Sequence, residues 1–326
     1  MNDYPVLNVQ KLSISFRVYS GIAHVLDDVS LRVGRKENVG LIGETGCGKT
    51  VMAKTVMGMI RPSQTTLISG EALLNQADIV CLGRRQLLRR IGQEISMIPQ
   101  DPLNSLNPVF TIGEQLRDIV YYADRKRGQP RLRRRQIWQR AVEALDEVRL
   151  PDPERLLGSY PLQLSGGMRQ RVLIAMALVN QPSMLIADEP GSALDVTIQK
   201  QVLRLMHDLI QEHNISVLII SHNLGVIREM TDRLYIMYAG QVAETAPSGP
   251  FFVHPKHPYS QGLRDSVPKI SGGQISAGIP GTVPDYVAAP SGCRFHPRCL
   301  QALDVCRSER PDESTVAKDW SVRCHL

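Results

Sequence analysis

Residues Gly43 to Thr50, reading Gly-Glu-Thr-Gly-Cys-Gly-Lys-Thr, fit the phosphate-loop pattern G-x4-G-K-[ST] without a mismatch. The residue types define the chemistry. Gly43, Gly46 and Gly48 let backbone N–H groups turn inward around phosphate oxygens, backed by the positive end of the following helix. Lys49 reaches the β- and γ-phosphates of a nucleotide, and the Thr50 hydroxyl ligates Mg²⁺. Glu44, Thr45 and Cys47 complete the cradle. Cys47 admits two readings: a reactive thiol whose pKa the helix N-terminus lowers, or a small filler at a variable position.

A second constellation follows later in the chain. The apolar run Met184-Leu185-Ile186-Ala187 ends in Asp188-Glu189. A carboxylate at the end of a buried strand can hold Mg²⁺ through water, the role of Asp188. Glu189 can then orient and deprotonate an attacking water. An acidic pair alone is weak, but after an intact phosphate loop it points to nucleotide hydrolysis. Between the two lies Leu164-Ser165-Gly166-Gly167-Met168-Arg169-Gln170-Arg171.

That last run resembles the LSGGQ signature of the ABC ATPases, which opens a helix in this same order of motifs. The rest of the set is in register. Gln100 in MIPQDPLNSLNP matches the Q-loop, Ser192-Ala193-Leu194-Asp195 the D-loop, and His222 in IISHNL the switch histidine. The resemblance implies ATP and Mg²⁺ as ligands, and two cassettes paired head to tail around each ATP. Ser165, Gly166 and Gly167 would then face the γ-phosphate held by the partner, from a helix N-terminus. Glu189 serves as general base, His222 contacts the γ-phosphate, and Gln100 links Mg²⁺ and water to the transmembrane subunits. Asp195 joins the nucleotide-binding set through the D-loop. An aromatic from the N-terminal strands stacks on the adenine: Phe16 is the first choice and Tyr19 the second, with a core role as the alternative for both.

Such groups need a scaffold of alternating strands and helices. LNVQKLSISF and VLDDVSLRV alternate as strands on either side of a turn at SGIAH. VGLI leads into the phosphate loop and a helix beginning near Lys49. Apolar strands return at SMLIAD and SVLIISH, separated by the helical period of TIQKQVLRLMHDLIQEH, so a parallel sheet covered on both faces is expected. Residues from about 85 to 160 are charged and helical in period, as in RRQIWQRAVEALDEV. Beyond about 245 the chain turns rich in Pro, Gly and His. The expected fold class is α/β: an ABC-type core with an N-terminal antiparallel β subdomain, a helical subdomain and a small C-terminal cysteine-containing appendage. The expected division is 1–245 for the cassette and 246–326 for the C-terminal region.

The 326 residues allow a sizeable core, and 21% charged residues is an ordinary soluble balance. No apolar run is long enough to span a bilayer, and the N-terminus lacks the basic start and apolar stretch of a secretory signal. The net charge of +6 is too small to choose between nucleic acid and an anionic membrane face. Part of it is local, in a basic run from Arg125 to Arg135 that reads as a solvated loop or as a docking surface for a membrane partner.

MIPQDPLNSLNP, LSGGMRQRVLIAMAL and HPKHPYSQGL resemble the dipeptide/oligopeptide/nickel importer ATPases, and the tail adds GIPGTVPDY and GCRFHPRC. This implies import of peptides or related small solutes from the cytoplasmic face of the inner membrane. The implied partners are a sister ATPase or a second copy, two permease subunits and, indirectly, an extracytoplasmic binding protein, with no nucleic acid. The tail thiols Cys293, Cys299, Cys306 and Cys324 suggest a metal site in a cytoplasmic chain. Their C-x5-C-x6-C-x17-C spacing identifies no metal. The resemblance points to a [4Fe–4S] cluster, with Zn²⁺ or plain packing thiols as alternatives.

Some positions depart from the family pattern. Gly191-Ser192 replaces the usual paired threonines, Asn223 follows the switch histidine where Asp is usual, and Pro99 stands where Phe is common. A soluble ABC ATPase of DNA repair or translation is the competing reading. The long coiled-coil insertion and the second cassette typical of those proteins are not seen. A regulatory module with vestigial hydrolysis is opposed by intact Lys49, Asp188, Glu189 and His222.

Overall fold

The computed structural model describes residues 4–127, 132–266 and 278–326, without side chains for 124–127. The chain divides into two compact units, Met1–Cys81 with Ile219–Leu326 and Leu82–Leu218.

The first unit holds two sheets. One is antiparallel, built from Gly21–Val33, Leu7–Val18, Thr66–Leu74 and Ala77–Asp78 in that order. Its first hairpin pairs Leu7 with Val33 and Val18 with Gly21. The turn therefore falls at Tyr19-Ser20, and Gly21 to His24, expected in a turn, belong to the second strand. Leu12, Ile14, Leu26 and Val29 point to one buried face, the alternation that fixes register. The predicted N-terminal antiparallel subdomain is thus present.

The other sheet carries the phosphate loop. Asn38–Ile42 is buried at every position and runs parallel to Arg233–Tyr238, with Val39 opposite Arg233. An Ala239-Gly240 turn sends the chain back as Gln241–Pro247, antiparallel to the strand before it. Two strands from the tail extend this edge: Trp320–Arg323 pairs with Gln241–Pro247, and Glu313–Ala317 pairs with Trp320–Arg323. The buried Glu244 carboxylate locks the join. It accepts N–H bonds from Lys256 and His257 at 2.9 Å each and from Trp320 Nε1 at 2.9 Å. The tail is therefore stitched into the sheet that bears the phosphate loop.

The second unit is mainly helical around a parallel pair, Ile95–Ile98 and Met184–Asp188. Its helices include Ile112–Arg127, Arg134–Glu147, Gly166–Leu178 and Val196–His213. In Arg134–Glu147 the buried residues are Ile137, Ala141, Ala144 and Leu145, the i, i+4, i+7, i+8 stripe that sequence period predicts. The basic run from Arg125 to Arg135 falls largely outside the described residues. Among those described, no helix is long and apolar enough to cross a membrane.

Candidate active site

In the first unit, the strand Asn38–Ile42 delivers Gly43 to Gly48 into a tight loop and then the helix Lys49–Val56. Gly48 caps that helix at φ +104°, and a Cβ there would come within 2.6 Å of Leu26. Only glycine meets both demands, the left-handed backbone and the close approach. Lys49 is buried, and its Nζ donates to the carbonyls of Gly43 at 2.7 Å and Glu44 at 2.9 Å. Its ammonium is thus held inside the ring of the loop. Thr45 and Gly46 are exposed and Thr50 is half-buried. Cys47 is fully buried, and burial pushes its thiol up despite nearby Lys49. That favours the filler reading over a reactive thiolate.

The same unit places His222 on the surface just beyond the strand Ser216–Ile220. Asn223 caps the next helix, accepting from Gly225 N at 2.9 Å and Val226 N at 3.4 Å. Asn serves that cap as Asp would. Phe16 lies half-buried in the hairpin opposite Ala23 and Thr66, whereas Tyr19 is fully exposed at the turn.

Sequence reasoning missed three tail residues that grip the phosphate loop. The Glu44 N–H donates to the Tyr259 hydroxyl at 2.8 Å, and Tyr286 donates from its hydroxyl to Gly46 O at 2.6 Å. Arg298 forms a two-bond ion pair with the Glu44 carboxylate, Nη1 to Oε2 at 2.6 Å and Nη2 to Oε1 at 2.9 Å. Their only signal was the aromatic, proline and arginine content of HPKHPY, TVPDY and FHPRC. Tyr238, Tyr259 and Phe295 pack their rings together beneath these contacts, at centroid separations of 4.7 to 5.4 Å.

The second unit gathers the other predicted groups. Asp188 ends the fully buried strand Met184–Asp188. Glu189 follows at φ +48°, a left-handed backbone that is costly for a side chain with a Cβ and is typical of functional positions. Gln100 Nε2 donates to Glu189 Oε2 at 2.8 Å. Ser165 caps the helix Gly166–Leu178 through a bond from Met168 N at 3.3 Å. Asp195 caps Val196–His213, accepting from Thr197 N and Ile198 N at 3.1 and 3.0 Å. Gly191 adopts φ +89°, a left-handed conformation that glycine takes without strain and a β-branched threonine would resist.

The four tail thiols are neighbours in the first unit. Burial, followed by the charges of Cys306, Cys324 and Cys299, pushes Cys293 up to about 11. Burial also raises Cys299 and Cys324, each of which feels Cys306. Among the described residues, however, no three His, Cys, Asp or Glu side chains are grouped to hold a metal ion. A single-ion site such as zinc does not fit these thiols as they stand.

A phosphate loop on a parallel strand, an acidic pair at another strand end and a capped glycine-rich signature helix define an ABC-type ATPase cassette. The comparisons agree. Residues 26–192 match the ABC transporter family and residues 243–306 match the oligopeptide/dipeptide transporter C-terminal region. The oligopeptide transport ATP-binding protein AppD of Bacillus subtilis is 43% identical over 92% of this chain and 90% of its own length. The dipeptide transport ATP-binding protein DppD of Escherichia coli K12 is 39% identical over 98% of this chain and 96% of its own. A dimeric post-hydrolysis structure of the cassette MJ0796 bound to ADP and Pi matches with TM-score 0.65 at 25% identity, covering 74% of this chain and 98% of that one. The chain belongs to the ABC transporter ATP-binding subunits, in the branch that carries the oligopeptide/dipeptide C-terminal region. Its activity is ATP hydrolysis coupled to transport, and none of these similarities points to DNA repair or translation.

Proposed function

We propose that this chain powers uptake of peptides by hydrolysing ATP beneath partner permease subunits. The observation that carries the reading is the Gln100–Glu189 pair, which couples a candidate base to the segment that leads into an exposed apolar surface. Leu103, Val109 and Phe110 lie exposed on that segment, and such a patch suits a membrane-protein partner. Lys49, Gly43 to Gly48 and Thr50 hold the triphosphate. Glu189 takes the proton of the attacking water while Gln100 keeps its carboxylate oriented, and His222 contacts the γ-phosphate. Thr50 and Asp188, with Gln100, are the residues that would hold Mg²⁺, which supplies neutralising charge at the transferred phosphoryl group.

Pairing with a second cassette would bring Ser165, Gly166, Gly167 and Asp195 to the nucleotide of the partner. A sister subunit is favoured over a second copy, and a peripheral position on the cytoplasmic membrane face follows from the permease partners. The cassette would span 1–245 and the C-terminal region 246–326. In the tail, the proposed group is a [4Fe–4S] cluster, which Cys293, Cys299, Cys306 and Cys324 would hold as thiolates. Its support is that the four thiols share the tail, with the Cys293 N–H donating to Cys306 O at 2.9 Å so that these two residues lie side by side.

The function is tested by uptake of labelled di- and oligopeptides in cells whose own copy carries Glu189→Gln. Uptake should fall to background and return with the wild-type chain; unaltered uptake would sink the peptide reading. Anaerobic purification with iron, sulfide and zinc assays tests the tail. About four irons and four sulfides per chain are expected, and colourless, iron-free folded protein would remove the cluster.

A further inference from the structure

We propose that Arg298 is a positioning residue for nucleotide binding, because it neutralises a carboxylate that the phosphate loop itself carries. The inference rests on Gly43–Thr50 being the ATP-binding loop. Glu44 is the second residue of that loop, so its side chain adds a negative charge to a structure that must wrap a polyphosphate. Left unpaired, that charge would oppose the ligand and the Lys49 ammonium would have to offset both.

Arg298 supplies the compensation from the far end of the chain. Its two bonds to Glu44 form the parallel fork that is the strongest arginine–carboxylate geometry. The pair is partly screened from water, since the Arg298 side chain is 6% exposed and the Glu44 side chain 26%. The remaining donors are also committed: Nε to Pro280 O at 2.7 Å, Nη2 to Ile279 O at 3.2 Å and Nη1 to the Tyr238 hydroxyl at 3.3 Å. A guanidinium has five N–H donors, and here each has an acceptor. Arg298 therefore has no donor left for a nucleotide, and its effect must pass through Glu44. Tyr259 and Tyr286 fix the backbone of the same loop at Glu44 and Gly46, so the carboxylate is presented to the arginine in one orientation.

The test is a double-mutant cycle on the full-length chain, read by competition of ATP and ADP against a fluorescent nucleotide. Arg298→Ala should weaken ATP binding by about tenfold or more through the uncovered charge. In the Glu44→Gln background the same change should cost less than about threefold, because no carboxylate remains to be neutralised. ADP, carrying less charge, should lose less than ATP, and added salt should shrink the Arg298→Ala defect. Arg298→Gln, which removes the charge but keeps most of the length, checked for folding by circular dichroism, provides the same cycle if the alanine variant does not fold. Equal losses in both Glu44 backgrounds, or equal losses for ATP and ADP, would overturn the proposal and reduce Arg298 to a packing role. Failure of the wild-type chain to bind ATP would overturn the reading of the loop, and the proposal with it.

Discussion

Gln100 Nε2 donates a 2.8 Å hydrogen bond to the Glu189 carboxylate, while Glu189 itself sits in a left-handed backbone at φ +48°. The carboxylate is thus fixed from two directions. Glu189→Gln keeps the shape and removes the base, so ATP turnover should drop by at least about 10²-fold. ATP binding should survive, and gel filtration with ATP should show an accumulated dimer. Turnover close to wild type would exclude Glu189 as the base.

Gln100→Ala removes the bond that orients the Glu189 carboxylate, together with one of the side chains proposed to hold Mg²⁺. Steady-state assays should show a lower kcat with little change in KM for ATP, the pattern expected when a transition-state interaction is lost. A rise in KM alone would instead place Gln100 in substrate binding.

Glu244→Ala should destabilise the fold rather than the chemistry. The buried carboxylate satisfies N–H groups of Lys256, His257 and Trp320, and orphaning them costs about 3 kcal/mol or more. Denaturant titration should register that loss. Glu244→Gln, which keeps an acceptor, should lose less.

His257 gives the protein an acid-sensitive side. Burial holds its imidazole down to about 4 from the ordinary 6.5, and Nδ1 accepts from Tyr259 N. Between those values the unfolded chain binds a proton that the folded chain refuses. Stability is therefore fully present above pH 6.5 and falls as pH drops toward 4, by up to ~3 kcal/mol. Urea titrations across that range should show the slope, and His257→Asn, which keeps an acceptor at the helix cap, should flatten it. An unchanged slope would assign the acid sensitivity to other groups.

Much of this was legible because the reacting groups come in local runs. Gly43 to Thr50, Leu164 to Arg171 and Asp188-Glu189 declare their chemistry through types and spacing within a few residues, and the apolar strands that carry them are short and continuous. What stayed hidden depends on contacts between distant segments. Nothing near Arg298 announces that its partner is Glu44, and the strand Glu313–Ala317 is exposed along its whole length, so it lacks the apolar alternation that betrays a strand. The SGIAH segment misled because Gly and Ser signal turns, yet cross-strand pairing drew Gly21 to His24 into the ladder. Cys47 offered two readings from sequence, and burial, outweighing the adjacent lysine, favours the small filler over the reactive thiol.

The parallel pairing of Val39 with Arg233 has a consequence for how the protein is made. A ribosome releases the phosphate-loop strand early and its neighbouring strand only after the whole second unit has been synthesised. Until then the apolar face of Asn38–Ile42 has no native partner strand from that side, and contacts so distant along the chain form slowly. The nascent chain therefore passes through a long interval in which this segment is open to aggregation or chaperone capture. Under the proposed bracing role of Arg298, nucleotide reaches its full effect as a folding ligand only once that tail residue has emerged.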